Sequence, residues 1–196
     1  MSAEIILASS SSTRKDLMDR LNVKYRAISP DIDETAHIGE SADQLAKRLS
    51  IEKALVIAKQ YPESIIIGSD QVAWLKDEPC TFIGKPYTYD GAIEQLKNQS
   101  GKTLCFSTGL SVQCLAKNIQ QNHIVHFKVK FRDLSLAEIE RYVRFEQPYY
   151  CAGSFKCESL GLSLFESTEG TDFTALMGLP LIKLCHELRI LGLNLP

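Results

Sequence analysis

Ile65-Ile66-Ile67-Gly68-Ser69-Asp70-Gln71 is the stretch that decides the fold class. β-Branched apolar residues in succession read as a strand buried on both faces. The run stops at Gly68, and a hydroxyl, a carboxylate and an amide follow at once. In α/β proteins, ligands bind off the carboxyl ends of the strands. Asp70 therefore stands where a reacting group would be held on a rigid support. The same residues also suit a turn in which Asp70 caps backbone N–H groups. The flanking chain bears on which of the two applies.

Upstream, Ile5-Ile6-Leu7-Ala8 reads as another buried strand, running into Ser9-Ser10-Ser11-Ser12-Thr13-Arg14-Lys15. Leu17, Met18 and Leu21 then take up helical spacing. Arg14 and Lys15 fall in the first turn, where cations oppose the helix dipole. Hydroxyls, free N–H groups and two cations at a helix N-terminus make an anion site, suited above all to phosphate; a Ser-rich cap with solvated basic residues is the plainer alternative. Tyr25 to Ser29 reads as a short strand, and Asp31, Asp33 and Glu34 follow in an acidic loop. Such carboxylates are either solvated or share a cation, and oxygen donors of this kind suit Mg²⁺ or Mn²⁺. Ser41-Ala42-Asp43-Gln44 is a capping box opening a long helix to about Tyr61. On its wheel Lys53 falls inside the apolar arc of Leu45, Leu49, Val56 and Ile57. A lysine there must snorkel or meet an anion.

Downstream, Val72 to Leu75 continues the strand, a polar tip turns the chain, and Phe82-Ile83 returns to Gly84-Lys85-Pro86. Glycine before Lys85 lets backbone and ammonium approach a ligand closely. Asp90 to Gln99 reads as a helix. Lys102–Leu115 and His123–Phe131 read as long strands joined by 116–121, a hairpin that makes the sheet mixed. His123 and His126 face opposite sides of that strand and do not share a metal. Ser135-Leu136-Ala137-Glu138 is a second capping box. A small-residue stretch from Cys151 to Gly161 carries Glu158, Ser163–Glu166 reads as a short strand, and Pro180–Leu191 as a closing helix.

The 196-residue chain suits a single domain over 1–196, and its net charge of −2 speaks against duplex nucleic acid or an anionic membrane as partner. No segment approaches the ~20 apolar residues of a membrane span. None of the six cysteines forms a CxxC pair, which fits free thiols in a reducing cytoplasm.

Together these stretches resemble the Maf family of nucleoside triphosphate pyrophosphatases. The resemblance rests on Leu7-Ala8-Ser9-Ser10-Ser11 with Arg14, Asp33-Glu34, Glu52-Lys53-Ala54, Gly68-Ser69-Asp70-Gln71, Gly84-Lys85-Pro86, Phe131-Arg132-Asp133-Leu134-Ser135 and Ala152-Gly153-Ser154-Phe155-Lys156. It implies a two-lobed α/β fold like that of the inosine triphosphatases, an elongated mixed sheet flanked by helices, with a central nucleotide cleft. It implies hydrolysis between the α- and β-phosphates of a nucleotide, with a divalent cation, Mg²⁺ or Mn²⁺, as cofactor. Asp70 is then the general base and, with Glu34, a metal ligand, while Ser9, Arg14, Lys15, Lys53 and Lys85 bind phosphate. Gln71 and Glu158 look like the branch acting on 7-methyl-GTP; the branch acting on dTTP and UTP usually has Thr after the Asp and Gln in place of Glu158. The implied biology is removal of modified nucleotides before they enter nucleic acid, in the cytoplasm, and a homodimer is compatible with the chain.

Two positions depart from the family pattern. Lys15 stands where a second Arg is common, which removes a bidentate phosphate contact. Thr13, the remaining specificity position, stands where the 7-methyl-GTP branch often has an aromatic that would stack on the base. The alternatives are a dTTP/UTP pyrophosphatase of the same family and a non-catalytic nucleotide-binding regulator of cell division. The regulator would need neither Asp70 nor Glu34.

Overall fold

Short apolar runs alternating with capped amphipathic segments produce a mixed α/β chain, described here over residues 3–195 of a computed structural model. The order is β1 (Ile5–Ala8), α1 (Ser12–Asp19), β2 (Arg26–Ile28), α2 (Ala42–Ala58), β3 (Ile65–Leu75), β4 (Phe82–Ile83), α3 (Tyr89–Gln99), β5 (Thr103–Cys114), β6 (Ile119–Phe131), α4 (Leu136–Glu146), β7 (Phe165–Gly170), α5 (Phe173–Leu176) and α6 (Leu181–Ile190). Among the described residues the strands form one seven-stranded sheet in the order β2-β1-β3-β5-β6-β7, with β4 paired to β3. β1 lies parallel to both β2 and β3, while β3–β4 and β6–β7 are antiparallel. The expected mixed sheet with flanking helices is what the chain forms.

By packing the chain divides into two compact units, Met1–Gln71 with Ser107–Val125 and Asp172–Pro196, and Val72–Phe106 with His126–Thr171. In the first, one cluster packs Ile5, Leu7, Leu17, Met18, Ile65, Ile67, Leu110, Leu184 and Leu188. Another packs Ile6, Ala8, Ala54, Ile57 and Ile66, so β1 and β3 are buried on both faces as their β-branched composition requires. The second unit is centred on Phe155, whose ring meets Phe106, Phe131 and Phe165 edge-on at centroid distances of 5.9, 5.7 and 5.1 Å.

α2 rests backbone-to-backbone on the sheet. A Cβ on Gly68 would lie 2.3 Å from the Ser50 carbonyl oxygen, and one on Gly109 would lie 2.2 Å from that of Ala46. Only glycine permits so close an approach. Both capping boxes form: Ser41 with Gln44, and Ser135 with Glu138.

Several boundaries differ from expectation: α2 ends at Ala58 rather than near Tyr61, β7 runs on to Gly170 rather than ending at Glu166, and α5 lies in a stretch for which the sequence suggested no element. Ser163 and Leu164 close a 3₁₀ turn, with Ser163 Oγ bonded to the Leu160 carbonyl at 2.8 Å, so β7 starts only at Phe165. Residues 119–122 belong to β6, because Asn118 adopts the left-handed conformation and ends the turn after β5 at once.

Candidate active site

Asp70 is a residue of β3, which continues beyond the apolar run; the carboxylate is buried, with 7% of the residue exposed. A buried carboxylate needs a partner, and Lys53 of α2 supplies it. Lys53 Nζ lies 2.5 Å from Asp70 Oδ1 and 2.7 Å from Glu34 Oε1. The lysine in the apolar arc meets two anions rather than snorkelling. Of the acidic loop only Glu34 takes part in this group, since Asp33 turns back to accept the Thr35 N–H at 2.9 Å.

The loop carrying Glu34 is moored by Arg48, a residue that sequence reasoning missed. Its guanidinium makes a forked pair with Glu40, Nε to Oε1 at 2.7 Å and Nη2 to Oε2 at 2.8 Å. Nη2 also donates to the Thr35 carbonyl at 3.0 Å, next to Glu34. Hydrogen bonding from Arg48 holds the Glu40 carboxyl down at about 2.

Ser9 and α1 form the second part of the site. Ser9 Oγ is buried and accepts the Ser11 N–H at 3.1 Å, which leaves the hydroxyl proton to donate. Ser11 caps α1 by accepting the Arg14 N–H at 3.3 Å. Arg14, in the first turn, donates Nε to the Gly178 carbonyl at 2.8 Å. Burial lowers the Arg14 pKa from its ordinary value, while the charges of Asp70 and Glu34 act to raise it. The guanidinium thus shares the electrostatic environment of Lys53, Asp70 and Glu34. Thr13 and Lys15 lie beside it on the same turn, both partly exposed.

Gln71 faces a different set of atoms. Its Nε2 lies 2.7 Å from the Ala175 carbonyl and 3.1 Å from those of Leu176 and from Thr108 Oγ1. Two carbonyls as partners fix which end of the amide is the nitrogen. The donating end is committed to α5, and only the acceptor end remains for a base. Ser69 Oγ lies 2.6 Å from the Gly109 carbonyl and 2.9 Å from that of Gly178, donating to one of them.

Lys85 and Glu158 belong to the second unit. Lys85 is exposed in the segment between β4 and α3. Glu158 is exposed, and Oε2 receives only a weak bond from Cys157 Sγ at 3.6 Å. Its neighbour Lys156 is turned to the buried Glu146, with Nζ 2.5 Å from that residue's carbonyl and 3.6 Å from Oε2. Among the described residues no cation pairs with Glu158. The loop holding it is pinned by Glu146 Oε1, which accepts from Ser159 Oγ at 2.7 Å and Leu160 N at 2.9 Å.

Among the described residues no group of three or more His, Cys, Asp and Glu side chains is gathered as for a metal. Glu34 and Asp70 nevertheless offer hard oxygens to one cation, a donor pair of the kind that holds Mg²⁺ when substrate phosphate oxygens complete the shell. Burial raises the thiols of Cys105, Cys151 and Cys185 and pushes that of Cys157 up to about 12, which weakens these four as nucleophiles at neutral pH.

Thr108 and Gly178 also escaped sequence reasoning, as did the Gly109 and Gly178 carbonyls as partners of Ser69. Ser107-Thr108-Gly109 interrupts an apolar strand, and a glycine after hydroxyls inside a strand signals close backbone approach. Nothing in the sequence around Gly178 marks its carbonyl as an acceptor for Arg14.

The sequence profile of the family described as "Maf-like protein" matches residues 4–191. A protein of Acinetobacter baylyi named "Nucleoside triphosphate pyrophosphatase" is 62% identical over 194 residues, 99% of this chain and 98% of that one. Two proteins named "7-methyl-GTP pyrophosphatase" are also similar. That of Pseudomonas aeruginosa is 49% identical, covering 98% of this chain and 99% of that one. That of Pseudomonas savastanoi pv. phaseolicola is 48% identical, covering 98% of each. No helix of the described residues is long and apolar enough to cross a membrane. With a profile match over nearly its whole length and relatives this similar from end to end, the chain belongs to the Maf family.

Proposed function

We propose that the chain is a nucleoside triphosphate pyrophosphatase, cleaving between the α- and β-phosphates, with 7-methyl-GTP as the preferred substrate. The observation that carries this reading is the Glu34–Lys53–Asp70 group, with Lys53 within 2.7 Å of both carboxylates. A binding protein for nucleotides needs cations at the phosphates but no buried carboxylate beside them. The relatives' names, nucleoside triphosphate pyrophosphatase and 7-methyl-GTP pyrophosphatase, support the same reaction.

In this reading Arg14, Lys15, Lys53 and Lys85 bind the phosphates, and Ser9 donates to a phosphate oxygen. Lys53 occupies Asp70 Oδ1, so the other carboxylate oxygen takes a proton from the attacking water. The water oxygen bonds to the α-phosphorus, the bond to the bridging oxygen breaks, and pyrophosphate leaves with the electron pair. Glu34 and Asp70 would hold Mg²⁺ or Mn²⁺, whose contribution is to lower the pKa of water and offset phosphate charge.

Glu158 is assigned to the base. Methylation at N7 makes the guanine ring cationic and sharpens the donor edge formed by N1–H and the exocyclic amine. A carboxylate with no protein cation beside it accepts both donors in a charge-assisted pair. The acceptor end of Gln71 adds a directional contact. Thr13 provides no stacking surface, so the preference rests on Glu158.

The test is a panel of 7-methyl-GTP, GTP, dTTP and UTP with Mg²⁺ or Mn²⁺, scored for pyrophosphate release. The expected order is 7-methyl-GTP, then GTP, then the pyrimidine nucleotides. A preference for dTTP or UTP would move the chain to the sister branch, with Thr13 as the better guide. Tight binding without turnover would leave the regulator.

A further inference from the structure

The guanidinium of Arg14 is oriented from a distance. Its Nε is bonded to the Gly178 carbonyl at 2.8 Å, and that carbonyl sits in the strap between Asp172 and Pro180. Gly178 itself takes φ +97°, a conformation open to glycine, so the strap turns sharply there. Each end of the strap is tied down. Asp172 is buried, and its Oδ1 accepts Thr174 N at 2.9 Å and Thr174 Oγ1 at 2.5 Å, while Oδ2 accepts Ile182 N at 2.9 Å. Leu181 N donates to Thr174 Oγ1 at 2.7 Å. In the middle, Thr108 Oγ1 donates to the Ala175 carbonyl at 2.8 Å and Gln71 Nε2 to those of Ala175 and Leu176.

We propose that Thr108, and the donor end of Gln71 beside it, position Arg14 by acting through the strap carbonyls. The proposal rests on the reading of Arg14 as a phosphate ligand. A guanidinium recognises phosphate as a planar fork, so its value depends on the plane being held. With Nε committed to Gly178, both terminal nitrogens remain for the anion and the plane is set by the strap. The Gln71 bond also satisfies the Leu176 carbonyl at the end of α5, while the Ala175 carbonyl additionally accepts the Gly178 N–H at 3.0 Å. Satisfying these carbonyls alone would affect stability and leave Arg14 unaffected.

A double-mutant cycle separates the two roles. Thr108→Val keeps the shape and removes the donor, Thr108→Ser keeps the donor, and Arg14→Lys removes the fork. Pyrophosphate release from a nucleoside triphosphate is measured for each, with the melting temperature alongside. Thr108→Val is expected to lower kcat/KM by about tenfold or more, as misplacement of a binding group does, with Thr108→Ser near the parent. In the Arg14→Lys background the same change should cost less than about twofold, since the group it positions is gone. Thr108→Ala, which also removes the donor, carries the test through the same cycle if Thr108→Val does not fold. Equal losses in both backgrounds overturn the positioning role while leaving Arg14 as a phosphate ligand. An Arg14→Lys enzyme as active as the parent overturns the phosphate reading and the positioning role with it.

Discussion

Lys53 Nζ sits 2.5 Å from Asp70 Oδ1 and both side chains are buried, so the ammonium and the carboxylate define each other's position. Neither is tolerable there alone: an uncompensated charge in a low-dielectric setting is strongly unfavourable. The pair holds one carboxylate oxygen and leaves the other available, which is the condition for Asp70 to act as a base while ionised.

Asp70→Asn is expected to abolish turnover while nucleotide still binds. The amide has the same shape but cannot take a proton, and loss of a general base costs ~10²-fold or more. Steady-state kinetics beside equilibrium binding check it; turnover close to the parent would remove Asp70 from the base role.

Lys53→Met should damage both catalysis and the fold. Methionine suits the apolar arc, but it strands Asp70 without its cation, and breaking a buried pair typically costs about 3–5 kcal/mol. Adding Asp70→Asn should recover much of the melting temperature and none of the activity. If Lys53→Met alone melts like the parent, the pair carries no stability.

The strand from Ile65 and both capping boxes were legible because each follows from local pattern: β-branched composition, and a hydroxyl three residues before an amide or acid. Helical periodicity placed Lys53 in the apolar arc but left open whether it snorkels or meets an anion. The Arg14 contact was not legible. It joins residues 164 apart through a main-chain carbonyl, a group that every residue carries and no side-chain pattern announces. The Gln71 amide is a similar case. The resemblance to the 7-methyl-GTP branch implied a base contact for it, whereas its donor end is taken up by carbonyls 104 and 105 residues away. No local pattern marks Arg48, because its role is set by a loop that folds back to it through Glu40 and the Thr35 carbonyl.

Glu158→Gln is expected to flatten the ranking of 7-methyl-GTP, GTP and the pyrimidine nucleotides without removing activity. The neutral amide cannot accept both donors of the guanine edge, and an unpaired donor costs ~1–3 kcal/mol, or roughly fivefold to 150-fold in relative kcat/KM. Comparing the ratios, rather than any single rate, checks this; an unchanged ranking would return Glu158 to the role of a surface acid.

Acid should loosen the loop that carries Glu34. Hydrogen bonding from Arg48 depresses the Glu40 carboxyl from 4.5 to about 2, and Ser135 together with Arg132 does the same for Glu138. A depressed folded-state pKa contributes stability that is complete above about 4.5 and is lost as pH falls through about 2. The melting temperature should therefore fall across that window, and Glu40→Gln should make the fall shallower. An identical slope in the variant would show that the Glu40 carboxylate contributes nothing to acid stability.

The glycines beneath α2 set a tolerance as well as a packing distance. A lysine stem has a fixed length, so the reach of Lys53 to Asp70 depends on how near the helix axis comes to the strand, and that depth is set by two hydrogen atoms, one on Gly68 and one on Gly109. A methyl group at either place would have to displace helix backbone. The helix would ride up, and the ammonium would be drawn away from its carboxylate with every reacting residue still in place. In mutational terms the active site is thus larger than its chemistry. It includes two positions that bear no functional group, where Gly68→Ala or Gly109→Ala is expected to lower turnover without touching a reacting side chain.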